Sequence, residues 1–166
     1  MLNRETFLTC ALVLFWAVTG APAAAAASSD ADFLQTAMQD AVGQYDLGLI
    51  GEHRAAAPAV KGFAAQLAGE ASSAVEELKK IAAAQHLPVE EDAHLRTKAQ
   101  YVDLQARSGR DFDETLAHDS MIDANIAIDA FTDEAQHGSD PALRRFAAAQ
   151  LPKLRADLKM SQDLGG

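Results

Sequence analysis

From Asp111 to His137 the chain runs without a glycine or a proline, and no other feature constrains its fold as tightly. An uninterrupted stretch of that length is far longer than a strand and spans many helical turns. When successive residues are rotated by about 100 degrees, Phe112, Leu116, Ala117, Ala124, Ala127, Ile128, Ala130 and Phe131 gather on one side. Ala124 lies within that apolar side and His118 points away from it. Three other segments repeat the design. One runs from about Asp30 to His53 after the capping candidates Ser28 and Ser29, with a stripe of Phe33, Leu34, Ala37, Met38, Ala41, Tyr45 and Leu49 and with Gln44 at its edge. The next begins at Pro58, a suitable first-turn residue, and ends near Gln85 before Leu87-Pro88; Ala71 sits close to the middle of its apolar face. The last opens with Ser139-Asp140-Pro141 and reaches about Leu164, with Pro152 as an expected kink and with Gln150 and Asp157 on the side of Leu143, Phe146 and Leu154.

A shorter helix is predicted from about Glu90 to Arg107, ending at Ser108-Gly109. No segment alternates convincingly, and alanine dominates, so strands are not expected. Four long amphipathic helices with short connections make an all-α four-helix bundle, the additional short helix serving as a crossover or a cap.

The N-terminus has a different character. Arg4, an apolar run from Phe7 to Val18, and small residues after Gly20 and Pro22 form the three-part layout of a secretory signal. Ala25 and Ala27 place cleavage before Ser28, with an earlier option at Ala21 and Ala23. The apolar run is short against the roughly 20 residues of a spanning helix. The expected organisation is therefore a signal peptide at 1–27 and one domain at 28–166, periplasmic or secreted, with no membrane span in the mature chain. The single cysteine, Cys10, leaves with the signal, which excludes disulfides, thiol catalysis and thiolate metal sites. With 24 acidic residues against 14 Lys and Arg, the net charge is -10. That balance argues against nucleic acid and anionic lipid as partners.

The segments "DADFLQTAMQDAVGQYDLG", "PAVKGFAAQLAGEASSAVEELKKIA", "SGRDFDETL" and "DPALRRFAAAQLPKLRADL" together carry a resemblance across nearly the whole mature chain. Its most specific pieces are Asp30 with Phe33, Phe112-Asp113 and Leu151-Pro152. In these the chain resembles a bacterial exported family of ferritin-like four-helix proteins, catalogued as a domain of unknown function and often described as outer membrane proteins. The resemblance implies a ferritin-like fold with an inward Glu on the first helix and an inward His on the second, fourth and fifth. Matching the motifs puts those ligand positions at Gln44, Ala71, Ala124 and Asp157. Three departures remove nitrogen ligands, and the fourth replaces a carboxylate by an amide that is a poor partner for a divalent metal.

Other constellations weigh less. Glu91 with His94 and Glu134 with His137 have the i, i+3 spacing of bundle metal sites, but they fall in the first turn of the third helix and the last turn of the fourth. Glu134 and His137 remain the weak metal candidates. Asp113, Asp123, Glu134 and Asp157 lie on or beside inward faces, where carboxylates are expected to pair with Arg144, Arg155 or backbone donors; Asp113 suits the start of its own helix. Arg144, Arg145, Lys153, Arg155 and Lys159 give the last helix a basic side, either a solvated face or a contact for an envelope partner or a second copy. No nucleophile elbow accompanies the serines. The expected function is a non-enzymatic binding or structural component of the cell envelope with a degenerate metal site and no cofactor. The alternatives are a ferritin-like metal store or metal-dependent oxidoreductase using the remaining Glu, Asp and His, and a small-ligand or partner-binding bundle whose cavity is opened by Ala71 and Ala124.

Overall fold

The computed structural model describes residues 21–165, with side chains from Asp30 onward. The apolar run of the expected leader lies outside the described residues. Five helices follow in order: α1 (Ala21–Arg54), α2 (Pro58–Gln85), α3 (Leu95–Gln105), α4 (Gly109–His137) and α5 (Pro141–Gly165), with no strand among the described residues. α1 passes through Ser28 and Ser29, so the helix begins before the start expected from the sequence. Among the described residues no helix is long and apolar enough to cross a membrane.

α1 packs along α2 and α4 along α5, making two helical hairpins; α1 also meets α4, and α2 meets α5. Two buried aspartates fix how the hairpins face each other. Asp113, one turn into α4, accepts hydrogen bonds from the Ala56 and Ala57 N–H groups in the α1–α2 turn, at 2.9 and 2.8 Å. Asp30 of α1 accepts from the Ser139 and Asp140 N–H groups in the α4–α5 turn, at 2.9 and 2.8 Å. Each carboxylate satisfies donors that the start of a helix leaves without partners. The consequence is that α4 runs antiparallel to α1, and the chain from Pro88 to Ser108 must travel the length of the bundle. Asp113 thus serves α2 and not the start of its own helix, because its position past the first turn of α4 directs it across the hairpin interface.

The crossover is irregular before Leu95, where a helix was expected from Glu90. Gln35 explains the difference: its side chain accepts from the Glu90 N–H at 2.9 Å and donates to the Glu90 carbonyl at 3.2 Å, taking the place of helical partners. Farther along, Thr97 packs on Gly43, where any β-carbon would come within 2.6 Å of the Thr97 methyl group. At the end of α3, Arg54 donates to the carbonyls of Gln105 and Arg107 at 3.1 and 2.7 Å, and its guanidinium lies 5.4 Å from the Phe112 ring centre. Carbonyls left open at a helix C-terminus are thereby bonded to a cation that also suits the dipole.

The apolar core falls into two clusters. One gathers Leu34, Met38, Leu78, Phe131, Leu143 and Phe146; the other gathers Leu47, Ile50, Leu104, Phe112 and Leu116. Ala71 on α2 and Phe112, Leu116, Ala117, Ala124, Ala127 and Phe131 on α4 are buried as expected, with Ile128 and Ala130 half-buried. α1 departs from expectation in its second half: Tyr45 is exposed, while Leu47 and Ile50 are buried. Toward the C-terminal end of α1 the core contributed by Leu104, Phe112 and Leu116 lies on the side of Leu47 and Ile50, so the buried stripe turns toward it. On α5, Gln150, Asp157 and Ser161 are buried more deeply than Leu151, Leu154 and Leu158. The two clusters are separated along α1 by Gln44 and along α4 by Ser120 and Asp123.

Candidate functional site

At this polar level lies a cavity of about 90 Å³. All four long helices and α3 line it. Its floor is built from short side chains, Ala37, Ala41, Ala71, Ala74, Ala124 and Ala127, bordered by Leu67, Leu154, Phe131 and Phe146. Alanine at so many facing positions leaves room that larger side chains would fill. The residues at the four positions of the resemblance, Gln44, Ala71, Ala124 and Asp157, all line this cavity.

Its polar groups form two sets. On the side of α1, α3 and α4, the buried Asp123 forms an ion pair with Arg96 at 3.1 Å and accepts from Gln44 Nε2 at 3.2 Å and from Gln100 Nε2 at 3.4 Å. Burial still holds the Asp123 carboxyl above its ordinary range, against the pull of Arg96 and the two amides. Asp40 lies 3.5 Å from His94 Nε2; burial raises its pKa too, opposed by His94 and Arg96 and reinforced by Asp123. On the side of α2 and α5, Gln66 Nε2 is shared between Glu70 at 3.0 Å and Asp157 Oδ1 at 3.2 Å. Burial first, and then the charge of Glu70, push Asp157 up to about 7, with Gln66 and Lys153 opposing. Asp157 Oδ2 accepts no hydrogen bond among the described residues.

Ser120 completes the site. Its residue is 3 % exposed and lines the cavity, yet Oγ is buried without a hydrogen-bond partner. Helical serines commonly bond back to a carbonyl in the preceding turn, so a free hydroxyl here is an unused donor and acceptor. Sequence position alone indicated its burial, since it falls one turn after Leu116 and one turn before Ala124. Arg96 and Thr97 gave no such signal: they reach the cavity because α3 is laid across α1.

The remaining candidates do not assemble. Glu91 and His94 precede α3; Glu91 pairs with Lys79 at 2.8 Å and His94 lies against Asp40. Glu134 is buried and His137 is exposed, its Nδ1 2.8 Å from Asp133. Glu134 Oε1 has no partner, and burial, aided by Asp30, Asp140 and Asp133, raises its pKa to about 7 despite Arg144. Arg144 donates to the Gly138 and Ser139 carbonyls and not to a carboxylate, which corrects the pairing expected from sequence. His118 is exposed.

No group of three or more His, Cys, Asp or Glu suited to a metal ion occurs among the described residues. At the four matched positions the donor set is an amide already bonded to Asp123, two methyl groups, and one carboxyl half-protonated near neutrality. Divalent metals need several deprotonated oxygen or nitrogen ligands at one point. These residues do not fit one. No curated protein and no solved structure matches the chain. A family model for a domain of unknown function, DUF4142, matches residues 17–164.

Proposed function

Because the chain belongs to the DUF4142 family, whose description leaves its function open, we propose that it is an exported, non-catalytic bundle of ferritin-like topology that binds a small ligand in its central cavity. Export is supported by the layout of residues 1–27, and the topology by two antiparallel hairpins joined through one long crossover. The observation that carries the binding reading is the cavity itself. Where the resembling family places ligating side chains, Ala71 and Ala124 leave space, Gln44 is turned to Asp123, and Ser120, in the same lining, has a buried hydroxyl without a partner.

Elemental analysis of the purified mature protein tests the metal part. Iron, zinc and manganese are expected well below one ion per chain after dialysis, and a stoichiometric ion that persists would sink the reading. The reverse experiment is constructive. Combining Gln44→Glu, Ala71→His, Ala124→His and Asp157→His is expected to create divalent-metal affinity measurable by calorimetry, since four ligating groups would then line one cavity. Cavity filling tests the binding part. Ala71→Leu is expected to abolish binding of any small molecule that native mass spectrometry or calorimetry finds on the parent protein.

A further inference from the structure

We infer that the cavity takes a small organic ammonium ion, with its cationic head at Asp157 and Ser120 and its short apolar body on the alanine floor. This deepens the ligand-binding reading and rests on it. The lining contains four carboxylates, Asp40, Glu70, Asp123 and Asp157, against two cations, Arg96 and Lys153. Arg96 is committed to Asp123 at 3.1 Å, and Asp123 already accepts from two amides beside that ion pair. Asp157 is different. It has one donor, shared with Glu70, and an Oδ2 that accepts nothing among the described residues. A buried carboxylate in that state gains most from a charged donor, which supplies both a hydrogen bond and an opposite charge in a poorly solvated place. An ammonium has three N–H groups, and the partnerless hydroxyl of Ser120, in the same lining, is the acceptor assigned to a second.

The other ligand classes fit less well. A carboxylate or phosphate would enter a lining with excess negative charge. A neutral alcohol could bond to Ser120 but would leave the charge of Asp157 uncompensated. Size sets the scale of the probe. An apolar cavity of about 150 Å³ holds benzene, so about 90 Å³ suits a molecule of roughly three to five non-hydrogen atoms.

Propylammonium, 1-propanol and propionate have nearly one shape and three charges, and titrating each into the full mature chain by calorimetry and ligand-observed NMR separates the possibilities. Propylammonium is expected to bind saturably and about tenfold or more tighter than 1-propanol, with propionate undetected. Asp157→Asn is expected to remove that preference, and Ser120→Ala to weaken propylammonium by about threefold to tenfold. Affinity for propylammonium should rise from pH 6 to pH 8 as Asp157 ionises near 7, in the field of Glu70 from α2, Lys153 on its own helix, and Asp40, Asp123 and Arg96 across the cavity. Ala71→Leu, with Ala124→Val as a milder second filling variant, should abolish binding of all three while the helical circular dichroism is retained.

Equal binding of 1-propanol and propylammonium, or propionate binding best, overturns the ammonium assignment and leaves the ligand cavity standing. Binding that Ala71→Leu and Ala124→Val do not alter overturns both. So does the absence of binding by every probe to the folded parent protein.

Discussion

Asp113 and Asp157 are equally buried, each 7 % exposed, yet they do opposite things. Asp113, at one end of the bundle, has both oxygens bonded to backbone N–H groups of the opposing hairpin, and Asp30 repeats that arrangement at the other end. Asp157, in the middle, has a single amide donor and a neighbouring carboxylate. Burial therefore does not say what a carboxylate is for. The count of its donors does: a saturated one is part of the frame, and an unsaturated one retains capacity for something else.

Removing Asp113 should give the largest effect. Asp113→Ala orphans two N–H groups at the start of α2 and is expected to cost about 2–3 kcal/mol, a fall in Tm of roughly 6–10 °C by calorimetry. Asp113→Asn, which keeps one good acceptor, should recover part of it. Asp30→Ala should cost somewhat less, because Asp140 independently caps α5 through the Ala142 and Leu143 N–H groups.

The pH dependence should come next, and its sign follows from the raised groups. Asp157 and Glu134 have ordinary values of 3.8 and 4.5 and are raised to about 7 in the fold. Below the ordinary values both folded and unfolded chains hold these protons, and the stabilisation from tighter proton binding is complete. As pH rises the unfolded chain releases them first, so stability is lost until about pH 7 and then levels off. The protein should accordingly melt at a higher temperature at pH 5 than at pH 8. That difference should shrink in the Asp157→Asn, Glu134→Gln double variant.

At pH 8 Asp157→Asn alone should be stabilising by about 1 kcal/mol, the opposite sign to Asp113→Asn, because it removes a charge the fold does not compensate. A destabilised Asp157→Asn would erase the distinction between frame and cavity carboxylates. The smallest effect is expected for Ser120→Ala, within about 0.5 kcal/mol in the absence of ligand, since Oγ has no partner to lose. A large loss of stability there would mean that Ser120 belongs to the frame.

How much of this was legible in the sequence depended on whether one helix or two neighbours decided a position. α2 and α4 are each bounded by breakers and carry one apolar side, so period alone located Ala71, Ala124 and Phe131 correctly. The second half of α1 failed because its inward direction is set by Phe112 and Leu104, which approach from α4 and α3. Glu90 to His94 was read as helix because its composition permits one, and nothing local announces that Gln35, from another helix, will occupy the backbone of Glu90. The cavity divides in the same way. Gln44, Ala71, Ala124 and Asp157 were reached through the family resemblance together with helical phase, and Ser120 was available from phase. Arg96 and Thr97 were not, because the sideways placement of α3 depends on the absence of a β-carbon at Gly43.

The exchange of aspartates between hairpins also bears on how the chain tolerates being divided. Neither turn is complete without the other half of the sequence: residues up to Gln85 supply Asp30 to a turn they do not contain, and residues from Gly109 onward supply Asp113 likewise. A break in the irregular stretch before Leu95 would cut no long helix and neither of those bonds. The two pieces, each left with unpaired N–H groups when alone, would then have a chemical reason to find one another and rebuild the whole.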